Sequence, residues 1–231
     1  MTLLPLELGV RRMPHAQDGA GNSKRPRALK AKDWPRLRDR VLARDKHTCR
    51  YCGFKAEKFQ RVHFTQGLMA DPTVDNLSTA CIFCEQCFEL ESVANMDSGL
   101  LIWLPDLSQA DLHHLCRALY VAKVKEEEPL SGRAQTVLDQ LLARRTEAKR
   151  RLGTDDPIML ATALAEQVSD HDYKDRAERL DGIRLLPLPR RISFNDDGQY
   201  DQFPRILAYW ASKSGPFGKY PTEKWQSLIA A

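Results

Sequence analysis

Two Cys-x-x-Cys pairs are the residues best placed to do chemistry: Cys49-Arg50-Tyr51-Cys52 and Cys81-Ile82-Phe83-Cys84. Thiolates three residues apart can turn back on one tight loop and hold a single soft cation. Two such loops complete the tetrahedron that structural zinc prefers. Gly53 follows the first pair, where the chain needs a residue that tolerates positive φ. One pair alone would suit redox chemistry, whereas two at this separation point to a metal. Cys49, Cys52, Cys81 and Cys84 therefore predict one structural Zn2+, because four thiolates leave no coordination position open for water or substrate. Cys87, three residues after Cys84, could replace one of these ligands, but packing under its helix is the plainer expectation. Cys116 shares a helical face with Leu112, Leu115 and Leu119, which predicts core packing. His113 and His114 are adjacent, so they cannot share one face as a catalytic zinc pair would; one exposed and one partly buried histidine is expected.

Elements that would position these sulfurs follow from periodicity. A helix is predicted from Asp33 as N-cap, with Pro35 in its first turn and Trp34, Leu37, Val41 and Leu42 on its apolar face. Gln60–Phe64 predicts a short strand between the knuckles, and residues 86–93 a helix after the second. Leu100–Leu104, ended by Pro105, predicts a strand. Ser108-Gln109-Ala110-Asp111 has the form of a capping box opening a helix that Pro129 closes. A continuous helix is predicted over Arg133–Leu152 with Gly153 as its C-cap, and another from Asp156-Pro157 through Val168. Residues 172–180 predict a short charged helix, Leu185–Pro189 an extended segment, and residues 205–210 a short helix.

The fold class expected is therefore α+β and mostly helical, in four stretches. Residues 1–31, with Arg11-Arg12 and Lys24-Arg25-Pro26-Arg27, read as a flexible basic arm. Residues 32–107 form the zinc core and 108–191 a helical region packed on it. Residues 192–231 form a C-terminal extension, with Asn195-Asp196-Asp197-Gly198 as the boundary turn.

The 35 basic and 31 acidic residues nearly balance at a net charge of +4, which argues against a protein that works mainly by coating nucleic acid. No apolar run approaches the roughly 18 residues of a membrane span. The first residues do not have the form of a signal peptide, and cysteines arranged for metal fit the reducing cytosol.

In order, the chain presents Arg44-Asp45, Cys49-x-x-Cys52-Gly53, His63, Asn76-Leu77 and Cys81-x-x-Cys84. This pattern resembles the treble-clef core of HNH nucleases, in which the cysteines hold a structural zinc. There His63 would activate water and Asn76 would orient it. Active relatives place Asp immediately before the His and further ligands after the last Cys; here Val62, Glu85 and Phe88 stand in those places.

A second resemblance covers more of the chain. Arg44–Phe54, Cys81-Ile82-Phe83-Cys84-Glu85-Gln86-Cys87-Phe88, Glu91-Ser92-Val93 and Gly99–Leu112 are similar to the DotN/IcmJ family of type IVB (Dot/Icm) secretion systems. Thr154-Asp155-Asp156-Pro157 and Ile183–Pro187 fit it too. The resemblance implies a non-catalytic, zinc-stabilised, HNH-like subunit of a cytoplasmic coupling complex, held at the inner membrane by its partners. It implies binding to the tail of the coupling ATPase, and to its adaptors, to help recruit effectors. Trp103, Tyr120, Trp210 and Trp225 are the aromatic candidates for that contact, because such residues dominate interface hot spots. Packing onto the main domain competes with that role for the C-terminal aromatics. The alternatives are an HNH-type metal-dependent endonuclease and a non-catalytic zinc protein that binds nucleic acid through its basic arm.

These residues predict that purified protein leaves plasmid and linear DNA intact with magnesium, manganese or nickel, since Val62 and Phe88 offer a divalent cation nothing. Val62→Asp alone should not restore cutting. Metal-dependent cleavage that disappears in His63→Ala is the contrary result.

Overall fold

In the computed structural model, residues 2–11, 33–65, 73–125 and 128–218 are described. Arg12, Lys24–Arg27, the turns at Gly67 and Asp71-Pro72, Tyr220 and Trp225 lie outside them. The elements run α1 (Trp34–Arg44), β1 (Gln60–Phe64), β2 (Leu77–Cys81), α2 (Ile82–Cys87), α3 (Leu90–Asn95), β3 (Gly99–Trp103) and α4 (Gln109–Lys125). Then come α5 (Leu130–Ala143), α6 (Arg145–Leu152), α7 (Pro157–Thr162), α8 (Asp170–Lys174), α9 (Arg176–Arg179), β4 (Ile183–Pro187), β5 (Ile192–Asn195), β6 (Gly198–Asp201) and α10 (Phe203–Ala211). The class is α+β, with helices packed around three antiparallel strand pairs: β1 with β2, β3 with β4 and β5 with β6.

The Arg44-Asp45 pair at the end of α1 has a physical role. Asp45 is 3% exposed and accepts hydrogen bonds from the Arg44 side chain and from Thr79 N–H, each at 2.9 Å. Burial works to raise its pKa, but these donors hold it below the usual carboxylate value. Arg44 Nη2 also donates to Leu77 O at 2.8 Å, so one ion pair pins α1 to β2.

β3 lies between β4 and the α6–α7 region. Its outer edge donates Leu101 N–H to Asp155 O at 2.8 Å and Trp103 N–H to Arg144 O at 3.3 Å. The second bond meets a correction to the expected continuous helix over Arg133–Leu152: the chain breaks at Arg144, whose carbonyl accepts both Trp103 N–H and, at 3.4 Å, Ala148 N–H. Gly153 caps α6 in the left-handed region at φ 77°, as its sequence position predicts. Ser108 caps α4 by accepting Asp111 N–H at 3.1 Å. The helix opened by Asp156-Pro157 is α-helical only to Thr162; Ala163–Gln167 continue as one wider π-type turn.

Two expectations about the ends are corrected. Residues 2–11 lie against the fold instead of extending from it. Leu4 N–H donates to Arg50 O at 2.8 Å, and Gly9 N–H to Cys87 O at 2.7 Å. Leu8 and Val10 are buried beside Leu90, Val93 and Leu160. Asn195–Gly198 is the turn of the β5–β6 hairpin, and α10 beyond it is core. Phe203, Ile206 and Trp210 of α10 belong to the same apolar cluster as Cys49, Cys52, Cys81 and Cys84. Trp210 is 1% exposed and meets Phe54, Phe83 and Phe203 edge-on, with ring centroids 5.5–5.9 Å apart.

Trp210→Ala should therefore cost about 3–5 kcal/mol in chemical denaturation, the range for emptying a buried Trp site. Truncation after Arg191 should abolish the cooperative transition. A truncated chain that unfolds at an unchanged midpoint would show that α10 is not part of this core.

Candidate metal centre

The first knuckle is a tight turn closed on both sides. Cys49 N–H donates to Phe54 O and Gly53 N–H to Cys49 O, each at 2.9 Å, with Gly53 at φ 75°. Arg50 N–H donates to Thr79 O at 2.8 Å, which ties this turn to β2. β2 delivers Cys81 at the N-cap of α2, where its Sγ accepts Cys84 N–H at 3.5 Å. The four ligand sulfurs thus come from one turn and one helix start. They lie within 4.8 Å of one another and all four residues are buried. Burial pushes the free Cys81 and Cys84 thiols well up, whereas hydrogen bonds within the sulfur cluster, from Cys49 first, pull Cys52 down.

Helix α4 lays a polar stripe over this cluster. Gln109, His113 and Arg117 recur every four residues on one face, between Leu112, Cys116 and Tyr120. Gln109 clamps β4: its Oε1 accepts Leu185 N–H at 2.9 Å and its Nε2 donates to Leu185 O at 2.8 Å. That fixes the amide, so Nε2 also donates to His113 Nε2 at 2.8 Å. The proton of neutral His113 then sits on Nδ1, 3.4 Å from Cys84 Sγ. Burial pushes His113 down to about 3, which keeps it neutral. Arg117 Nη2 donates to Cys81 Sγ at 2.7 Å. His114 Nε2 lies 2.7 Å from Cys52 O. His114 is exposed, as expected of one of the pair, but His113 is fully buried instead of partly so and helps surround the sulfurs. The signal that could have found it was the fourfold spacing of Gln109, His113 and Arg117 on an apolar face.

Cys87 lies outside the sulfur group; its Sγ contacts Phe83 O at 3.6 Å. Cys116 is fully buried in the core. Of the aromatic candidates, Tyr120 is 4% exposed and donates its hydroxyl to Pro187 O at 2.6 Å, and Trp210 is enclosed by Phe54, Phe83 and Phe203. Both are corrected from contact residues to packing residues. Trp103 is half-buried, with the Arg151 guanidinium 3.6 Å from its ring centroid. Trp225 lies outside the described residues.

His63 stacks on Phe88 with centroids 4.5 Å apart and stands 4.0 Å from Glu89; burial pushes it down to about 4. Glu85 is taken up by Arg191 at 3.2 Å and Arg61 at 3.6 Å. Among the described residues, no second group of three or more His, Cys, Asp or Glu side chains converges as the four cysteines do.

No protein-family model matches the chain. It is similar to the type 4 apparatus protein DotN of Legionella pneumophila, 33% identical over 153 residues, which are 64% of this chain and 70% of that protein. The chain belongs to the DotN family.

In this DotN-family chain the spacing of two sulfurs, one from each knuckle, matches a tetrahedral edge. A tetrahedron with metal–sulfur bonds of ~2.3 Å has edges of ~3.8 Å, and Cys52 Sγ lies 3.7 Å from Cys81 Sγ. Four thiolates, joined in this group by no carboxylate among the described residues, suit a soft, tetrahedral ion and leave it closed. The centre should hold one metal ion per chain. Cys49→Ser or Cys81→Ser should release it and unfold the knuckle region, because binding free energy here is also folding free energy. Elemental analysis of protein purified without chelator is the check; a metal-free, folded protein would contradict it.

Proposed function

We propose that this chain is a non-catalytic, zinc-stabilised scaffolding subunit of a type IVB secretion coupling complex. In this reading it binds the tail of the coupling ATPase and helps recruit effectors. The similarity to DotN, named as a type 4 apparatus protein, carries the proposal. Zinc is the ion because an all-thiolate tetrahedral site is the structural-zinc donor set. The succession of a knuckle, an antiparallel strand pair and a helix capped by Cys81 supports the HNH-like reading of the core. His63 against Phe88, Val62 beside it and Glu85 committed to arginines support a core without nuclease chemistry.

Among the described residues no helix is long and apolar enough to cross a membrane. Attachment to the cytoplasmic face of the inner membrane would then run through partner proteins. An extended, partly disordered ATPase tail can wrap a rigid subunit of this kind on binding. The Trp103–Arg151 stack combines two of the three side-chain types enriched in hot spots and is the contact we assign to that tail.

Calorimetric titration of the full-length protein with the cytosolic tail of the cognate coupling ATPase tests this. Association at micromolar concentration or tighter is expected, with Arg151→Ala weakening it about tenfold or more. Unchanged affinity in Arg151→Ala would move the contact elsewhere on the chain. No association at all would overturn the coupling-complex reading, and retention of DNA instead would favour a nucleic-acid-binding zinc protein.

A further inference from the structure

Arg117 is the most unusual side chain in the interior. It is 0% exposed and lies in the middle of α4, in a core otherwise built from Phe54, Phe83, Phe203 and Trp210. A guanidinium is always charged, and burying it without a counter-charge is among the costliest things a fold can do. The groups it faces are the sulfurs of the metal centre, which carry negative charge as metal-bound thiolates. Its Nη2 donates to Cys81 Sγ at 2.7 Å and lies 3.7 Å from Cys52 Sγ. Its Nε and Nη1 have no hydrogen-bond partner. The Phe54 and Phe83 rings hold the group by their faces, with centroids 4.1 and 5.0 Å away. The aromatic pocket therefore aims the cation at the sulfurs.

Charge counting gives this arrangement a purpose. A divalent ion with four thiolates carries a net charge of −2, which an apolar interior does not tolerate alone. One guanidinium halves it. His113, held by Gln109 at Nε2, turns Nδ1 to Cys84 Sγ at 3.4 Å and adds a second contact to the sulfurs. We propose that Arg117 is the buried counter-ion of the metal centre, a positioning residue that with His113 stabilises the dianionic state of a divalent tetrathiolate. The proposal rests on the metal reading of the four cysteines. It goes beyond that reading in assigning to α4 the tuning of affinity and sulfur electronics. The bland alternative is that Arg117 only fills space between aromatic rings, a role that Met would serve as well.

The test uses full-length protein reconstituted with Co2+, whose sulfur-to-cobalt charge-transfer band reports on the thiolates. Arg117→Met, Arg117→Lys and wild type are compared by competition with a chromophoric chelator. Arg117→Met is expected to lose affinity roughly 10–100-fold, the range for removing a partner of a metal ligand. Its charge-transfer band should move to lower energy as the N–H···S bond is lost, and Arg117→Lys should recover part of both effects. Wild-type affinity and an unmoved band in Arg117→Met would overturn the proposal. If Arg117→Met does not fold, Arg117→Lys decides. A loss within about tenfold supports the charge role, and a loss of about 100-fold or more overturns it. A wild-type protein that gives no tetrahedral tetrathiolate cobalt spectrum would instead fail the metal reading, and the proposal with it.

Discussion

Four sulfurs confined within 4.8 Å of one another in an apolar interior set the terms for everything around them. Burial opposes the ionisation of Cys81 and Cys84, and neighbouring thiolates repel, so the four can ionise together only with positive charge close by. A bound soft divalent ion would supply it at the centre. Arg117 of α4 stands at the rim, and Gln109 and His113 add polar contacts around it. This explains why a helix with Leu112, Cys116 and Tyr120 on its buried face also carries Gln109, His113 and Arg117 there.

The same constraint accounts for the architecture. Three strand pairs, each of two strands, cannot stabilise a domain by sheet formation alone. The knuckle turn and α2 meet at the sulfurs, and α1 reaches them through the Arg44–Asp45 clamp on β2. α4 covers the cluster, and α10 closes the far side with Trp210 against Phe54 and Phe83. The second apolar cluster, around Leu90, Val93, Leu101 and Leu185, is joined to the first through β3 and β4. Residues 2–11 bridge both, bonding Arg50 at one end and Cys87 at the other.

Local signals in the sequence located most elements. Ser108 with Asp111, Asp156-Pro157 and Gly153 each act through atoms within four residues, and each cap stands where its chemistry predicts. The four sulfurs were legible for the same reason: two short spacings specify two tight turns. The features hidden from the sequence depend on distant partners. The helix break at Arg144 coincides with a bond from the distant Trp103 N–H to its carbonyl, and nothing near Arg144 announces it. The burial of Trp210 and Tyr120 could not be read locally either, because their partners, Phe54 and Pro187, lie far along the chain. Asn195-Asp196-Asp197-Gly198 has the composition of a linker and of a hairpin turn alike; only the pairing of Ile192 with Asp201 separates the two.

The central claim is that one metal ion organises the knuckles, α4 and α10 as a single cooperative unit. Hydrogen–deuterium exchange across a chelator titration tests it most directly. The account predicts that amides of α4 (109–125) and α10 (203–211) lose protection together, in step with metal release. Metal removed while α10 keeps its protection would contradict it.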